Sequence, residues 1–353
     1  MHLTEYQRKV YAVRRTHGGK MKLISIVSPM YNESGNIEQY FKRVNAIAEQ
    51  IKASITDIDF EIVIVNDGSK DDTLAKLVDM QKVQGNLRVV NLSRNFGVEP
   101  ALFAGVKHAK GDALIIMDAD MQDPPEVIKE LIEKWQEGFD VVNAKRVDRS
   151  SDSFMKRKTA KMYYKLINKL SHKVKYPADV NNFRLISRRV ADVINTFGSS
   201  GKFFRNAVAQ AGFKTTEVGF KRAPRTAGET SFNAKSLLGA GFSGVADVSV
   251  KPLNLGFKMS IWFLFLGGFV CAGALTFGIL NECGIGWAVT VCSSMLFGMV
   301  AAFFAIMLFT GIVLLILGIT NFYLGRTYTD VRGMPMFIVA HVYEPTGQKQ
   351  SDT

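Results

Sequence analysis

The stretch Ala113-Leu114-Ile115-Ile116-Met117-Asp118-Ala119-Asp120 decides the fold. Five apolar residues in a row read as a strand buried on both faces, and two acids mark where it ends. The same pattern recurs on either side. Short β runs at 23–27, 60–65, 87–92 and 140–144 alternate with helical stretches at about 34–53, 71–83 and 100–109. A fourth helix opens at Asp123-Pro124-Pro125, where the acid can cap and proline suits the first turn. Strand–helix repetition with apolar strands gives an α/β domain around a mainly parallel sheet. Ligands of such sheets bind beyond the strand C-termini, so the residues standing there carry the function.

After about Ser150 the pattern loosens. A basic helix runs from Phe154 to Leu170, a strand stands at 183–186, and a Gly/Ser hinge at 198–201 precedes another helix. A strand at 215–220 and a basic loop follow. Residues 233–256 mix Leu, Phe, Val and Gly with sparse Lys, which suits a helix lying in a membrane interface.

Met259–Gly325 then contains no Lys or Arg and one acid, Glu282. A charge at a bilayer centre is costly, so this stretch belongs in lipid. It is too long for one span of about 20 residues and fits a two-helix transmembrane hairpin, at about 257–280 and 297–322, turning at Asn281–Gly286. Lys251, Lys258, Arg326 and Arg332 flank the pair while the turn has no positive charge, so the positive-inside rule places both termini in the cytoplasm. The expected organisation is an N-terminal extension (1–20), a cytosolic catalytic domain (21–232), an interfacial segment (233–256), the hairpin (257–323) and a cytosolic tail (324–353).

All three cysteines (Cys271, Cys283, Cys292) fall in the apolar region, which excludes a disulfide framework or a cysteine zinc site in the polar part. The formal charge of +12 is uneven: 259–325 carries −1 and 326–353 is balanced, leaving +13 on residues 1–258. That suits anionic partners. Lys156, Arg157, Lys158 and Lys161 can hold anionic lipid at about 1 kcal/mol each. Basic residues do not interleave with aromatics on any nucleic-acid module, so no nucleic acid is expected. The five histidines lack an acid partner at useful spacing and read as solvated or structural.

The chemistry gathers at strand ends. In an extended segment Asp118, Asp120 and Gln122 would point the same way, and hard oxygen ligands so placed suit Mg²⁺ or Mn²⁺ bridging to a diphosphate. Acids after strands also cap helices. Asn66-Asp67-Gly68-Ser69 and Pro29-Met30-Tyr31-Asn32-Glu33 read equally as turns or as nucleotide contacts through Asp67 and Glu33. Arg222 and Arg225 are strong phosphate ligands, because a guanidinium fork grips phosphate bidentately.

Taken in order, Pro29–Glu33, Asn66–Ser69, Ser93-Arg94-Asn95-Phe96-Gly97, Gly111-Asp112, Asp118–Asp120, Gln122-Asp123-Pro124 and Ala144-Lys145-Arg146 resemble glycosyltransferase family 2. Within it the chain is similar to the polyprenyl-phosphate branch, through Arg94–Gly105, Lys156–Ala160 and Leu324–Tyr328. More distantly it resembles dolichol-phosphate mannose synthase. The resemblance covers roughly residues 21–335. It implies a GT-A fold, a nucleotide-sugar donor (UDP-glucose foremost), a divalent metal and an undecaprenyl phosphate acceptor at the inner membrane of a bacterium. Pro29, Tyr31, Glu33, Asp67 and Arg94 would then contact the nucleotide sugar, and Asp118, Asp120 and Gln122 the metal. Arg146, Arg222, Arg225 and Ser231 would hold the acceptor phosphate, with Asp118, Asp120 and Arg225 carrying catalysis. Further partners implied are a flippase, a downstream periplasmic transferase of cell-surface (O-antigen) glycan modification, and a second copy through the Gly- and Ala-rich hairpin.

One departure stands out. The family's Gly-Asp-Phe-Arg-Leu is Asn181-Asn182-Phe183-Arg184-Leu185 here, an amide replacing an acid, with Asp179 three residues earlier as a substitute. A phosphate acceptor, with a second pKa of about 6, is already ionised at neutral pH and attacks without a base. Competing readings are a different donor (GDP-mannose, a UDP-aminosugar), a non-catalytic membrane scaffold on a decayed domain, or a processive polysaccharide synthase. The last needs a Gln-x-x-Arg-Trp motif, and the chain has no Arg-Trp pair.

Overall fold

The computed structural model describes residues 21–147, 180–197, 203–221 and 291–345, with short pieces between 162 and 176 and between 258 and 269. The chain divides into two compact units, Met1–Asp247 with Met334–Thr353, and Val248–Gly333.

The first unit is built on one eight-stranded sheet. In chain order its elements are β1 (Lys22–Met30), α1 (Ile37–Ser54), β2 (Ile58–Asn66), α2 (Thr73–Val83), β3 (Leu87–Leu92), α3 (Val98–His108) and β4 (Ala113–Ile116). A 3-10 turn at Pro125–Val127 leads into α4 (Ile128–Gln136), then come β5 (Val141–Arg146), β6 (Val180–Ser187), α5 (Arg188–Ile194), α6 (Phe204–Ala211) and β7 (Thr215–Phe220). In the second unit stands α7 (Val291–Val331), and β8 (Val339–Tyr343) returns to the first. The strand order is β7-β5-β6-β4-β1-β2-β3-β8.

Strands β4, β1, β2 and β3 run parallel, as do β5 and β7. Two strands break the rule: β6 is antiparallel to both β4 and β5, and β8 is antiparallel to β3. The loops after Met30, Asn66, Leu92, Ile116 and Arg146 therefore share one edge of the sheet. Both faces are covered, as apolar strands require. On one face Tyr40, Phe41, Leu77, Ile128 and Leu131 pack from α1, α2 and α4; on the other, Leu102, Val106, Val190, Phe204 and Val208 pack from α3, α5 and α6.

The expected strands and helices fall within three residues of those observed at most boundaries. The start of α4 differs: a 3-10 turn precedes it, no side chain caps that turn, and Asp123 is fully buried. The tail from Met334, expected as a cytosolic appendage, is part of the sheet unit. Its strand is fastened through Glu344. The Glu344 carboxylate pairs with Arg88 (3.1 Å) and Lys110 (3.4 Å), and its carbonyl accepts a hydrogen bond from Gln81 Nε2. Arg88, 1% exposed, also pairs with buried Glu61 at 3.5 Å and donates to the His108 carbonyl at 3.1 Å.

In the second unit, Ile306–Gly325 of α7 is 20 residues long with mean hydropathy 2.1, long and apolar enough to cross a membrane. At about 1.5 Å per residue it spans roughly 30 Å. The expected second span, 297–322, lies within α7. Of the expected first span, the described residues Lys258, Met259, 261–263, Phe265, Leu266 and Phe269 are helical. The rest of that span, its turn, residues 1–20, the interfacial segment 233–256, the basic cluster 156–161 and the hinge lie outside the described residues.

Replacing Arg88 by Met should destabilise the first unit by about 3–5 kcal/mol, because Glu61 loses its buried cation. Glu344→Gln should cost under about 1 kcal/mol, its carboxylate being partly solvated. Thermal unfolding in detergent checks both.

Candidate active site

The shared edge is laced from loop to loop. Asn32, at φ 55°, donates its N–H to Ser69 Oγ (3.0 Å), and its Oδ1 accepts the Lys70 N–H (2.8 Å). Glu33 donates its N–H to Thr73 Oγ1 (2.9 Å), and its carboxylate accepts from Asn36 Nδ2 (2.5 Å). Asn66 Nδ2 donates to Asn91 Oδ1 at 2.8 Å. These bonds tie the loops after β1, β2 and β3 into one rim. Pro29, one residue before the end of β1, is half-buried, and Tyr31, just past the strand, is 40% exposed.

Asp67 is the centre of this rim. Only 3% exposed, it accepts the Phe96 N–H on Oδ1 (2.8 Å) and the Gly97 N–H on Oδ2 (2.9 Å). Burial pushes its carboxyl above the ordinary carboxylate range, and the two N–H groups pull it partly back. Gly68 follows at φ 63°, and a Cβ there would overlap the backbone of Arg94 and Asn95. The loop after β3 therefore rests directly on the loop after β2. Arg94 is exposed, stacks over Phe96 at 4.0 Å and donates to the Asn95 carbonyl.

The acidic segment differs in conformation from the extended run expected. Strand β4 ends at Ile116; residues 119–120 form a turn, and Met121 sits at φ 60°. Asp120 Oδ1 accepts the Gln122 N–H at 3.1 Å, which holds the turn closed. Asp118 and Asp120 are half-buried, and Gln122 is 6% exposed. The segment reaches the edge as a turn, so period-two alternation does not describe it. Two carboxylates and an amide make a hard-oxygen donor set that fits Mg²⁺ or Mn²⁺, ions that take further oxygens from phosphate and water. Among the described residues no three His, Cys, Asp or Glu side chains cluster as a metal site.

Beyond the aspartates stands a set of charges that sequence reasoning missed. Glu99, half-buried in the first turn of α3, accepts the Phe204 N–H at 2.7 Å. Burial raises its carboxyl; the Phe204 N–H, Arg205 and Arg184 lower it, and Asp118 raises it again. Arg184 is 2% exposed, and its Nε donates to the Asn182 carbonyl at 3.3 Å. Glu99 stands within the stretch Arg94–Gly105, but a glutamate opening a helix looks like ordinary capping. Arg184 and Arg205 also line a cavity of about 730 Å³ with Asn143, Tyr176, Val180 and Phe213.

Pro29, Tyr31, Glu33, Asp67, Arg94, Asp118, Asp120, Gln122 and, half-buried at the end of β5, Arg146 thus lie on loops and strand ends of one edge. Arg222, Arg225, Ser231 and Asp179 lie outside the described residues.

The sequence model of glycosyl transferase family 2 matches residues 25–194. A prophage bactoprenol glucosyl transferase homolog of Escherichia coli is 39% identical over 323 residues, 90% of this chain and 99% of its own. An uncharacterised glycosyltransferase of Synechocystis is 37% identical over 91% of this chain and 95% of its own. Among solved structures, Staphylococcus aureus TarS in complex with UDP-GlcNAc aligns with a TM-score of 0.44 at 18% identity, covering 63% of this chain and 65% of that one.

Gly68→Ala should cost about 1–3 kcal/mol, combining a positive-φ alanine with a backbone overlap. Thermal unfolding measures it. Wild-type stability would show that the two loops are not in contact.

Proposed function

The chain belongs to glycosyl transferase family 2 and is a glycosyltransferase, and from that premise we propose that it transfers a hexose from a nucleotide sugar, UDP-glucose, to undecaprenyl phosphate. The observation that carries this reading is similarity at 37–39% along nine-tenths of the chain, apolar segment included, to proteins named bactoprenol glucosyl transferase.

The loops tied by Asp67 form the side toward which a nucleotide base would lie, with Tyr31 exposed for stacking and Glu33 placed for ribose hydroxyls. Asp118, Asp120 and Gln122 would hold Mg²⁺ or Mn²⁺, which supplies charge stabilisation to the departing diphosphate. Arg146, Arg222, Arg225 and Ser231 seat the acceptor phosphate, cancelling its repulsion for the donor. The ionised phosphate oxygen attacks C1 in line, the bond to the diphosphate breaks, and the anomeric centre inverts. No proton has to be removed from the attacking oxygen, which makes an amide at position 182 compatible with turnover.

Topology supports a membrane hairpin. The strands before residue 221 and strand β8 share one sheet, which favours an even number of bilayer crossings between them. With Ile306–Gly325 as one crossing, the second would be the apolar stretch 257–280. Both ends then lie on the cytosolic side, beside the nucleotide sugar.

Supplying purified protein with radiolabelled UDP- and GDP-sugars and undecaprenyl phosphate tests the reading; failure of every donor to label lipid would overturn it. Asp120→Ala should abolish transfer with folding retained, and full activity in metal-stripped buffer would remove the metal from the scheme. Asn182→Asp should change the rate within about tenfold, with an acidic limb that follows a group titrating at about 6, the acceptor phosphate. A much larger gain would mean that the carboxylate acts as a base.

A further inference from the structure

We propose that Glu99 is a positioning residue of the transfer reaction: from the first turn of α3 it holds the first turn of α6, with Arg205 on it, beside the Asp118 side of the site. This rests on the family reading above. Three observations carry it. The Glu99 carboxylate takes the Phe204 N–H at 2.7 Å across 105 residues of sequence, joining two helices that share no loop. Arg184, Arg205 and Asp118 all lie within electrostatic reach of that carboxylate. The backbone just before Glu99 is itself fixed, since Phe96 and Gly97 donate to Asp67.

The geometry forms a chain of restraint. Asp67 holds residues 96–97, α3 starts at Val98, and Glu99 carries the constraint to Phe204 and α6. The nucleotide side of the edge and the helix beyond the aspartates are thereby set by one short segment. The charge of Glu99 has a second effect. It offsets the positive charge of Arg184 and Arg205 and adds to the negative charge around Asp118, which favours a divalent cation there. Burial makes this balance matter, because interactions between charges strengthen as solvent is excluded.

A pure helix cap and a positioning charge respond differently to substitution. Glu99→Gln keeps an oxygen for the Phe204 N–H and removes the charge; Glu99→Ala removes both. Hydrogen exchange in detergent-solubilised full-length protein should show the first-turn amides of α6 exchanging at least tenfold faster in Glu99→Ala and unchanged in Glu99→Gln. Titration with Mn²⁺, read by electron paramagnetic resonance, should show weaker binding by about three- to tenfold in Glu99→Gln. Its kcat should fall with KM for the nucleotide sugar nearly constant. Wild-type Mn²⁺ affinity and kcat in Glu99→Gln would reduce Glu99 to a cap and overturn the proposal, as would unchanged exchange in Glu99→Ala. Exchange and Mn²⁺ binding need neither sugar nor acceptor. A wrong assignment of substrates would therefore appear as absent transfer in the wild type, with these two readouts still deciding the role of Glu99.

Discussion

The buried contact between Glu61 and Arg88 fixes the frame on which everything else stands. Glu61, 5% exposed in β2, receives the Ser25 hydroxyl (2.5 Å) and the N–H groups of Lys110 (2.5 Å) and Gly111 (3.1 Å). Arg88 brings β3 to the same carboxylate and reaches on to Glu344 after β8. One pair of charges thus joins β1, β2, β3, the turn before β4 and the returning tail. Buried ion pairs add little net stability over apolar residues, but each partner left alone is costly. Their value here is register. Any slip of these strands would strand a charge in the core.

That frame lies at the opposite edge of the sheet from the site, and the separation has a consequence. The edge near Glu61 is where β1 to β4 begin; the edge where they end is free to hold loops. There the carboxylate of Asp67 accepts two backbone N–H groups, with the Arg94 guanidinium near enough to pull its carboxyl down as well. Glu33, Asp67, Asp118, Asp120 and Glu99 concentrate acids at this edge in a part of the chain whose formal charge is +13. An acidic edge would repel a sugar diphosphate, which is why a divalent cation suits the donor set.

Much of the sheet was legible because its strands are apolar on both faces. β2, buried at eight of nine positions, and β4, buried at all four, announce themselves without context. β8 does not: Val-Ala-His-Val-Tyr is short, partly exposed, and gains its pairing from Val89 to Leu92, some 250 residues away. No local pattern encodes such a partner, since strand preference is set by neighbours across the sheet. The direction of β6 was equally hidden, because sequence shows that a strand exists and not which way it runs. At the site, the strand ends expected from the sequence put Asp67, Asp118 and Asp120 on one edge of the sheet, where the structure has them. The turn through Met121 and the reach of Glu99 to Phe204 depend on tertiary contacts and left no periodic trace.

The amide at position 182 then fits the rest of the structure. Its main-chain carbonyl, the part every residue possesses, takes the bond from Arg184. A hydroxyl acceptor would need a base at hand to take its proton. The phosphate acceptor proposed above would arrive already ionised and need none. On that reading a neutral side chain at position 182 costs the reaction nothing, and the amide is compatible with turnover.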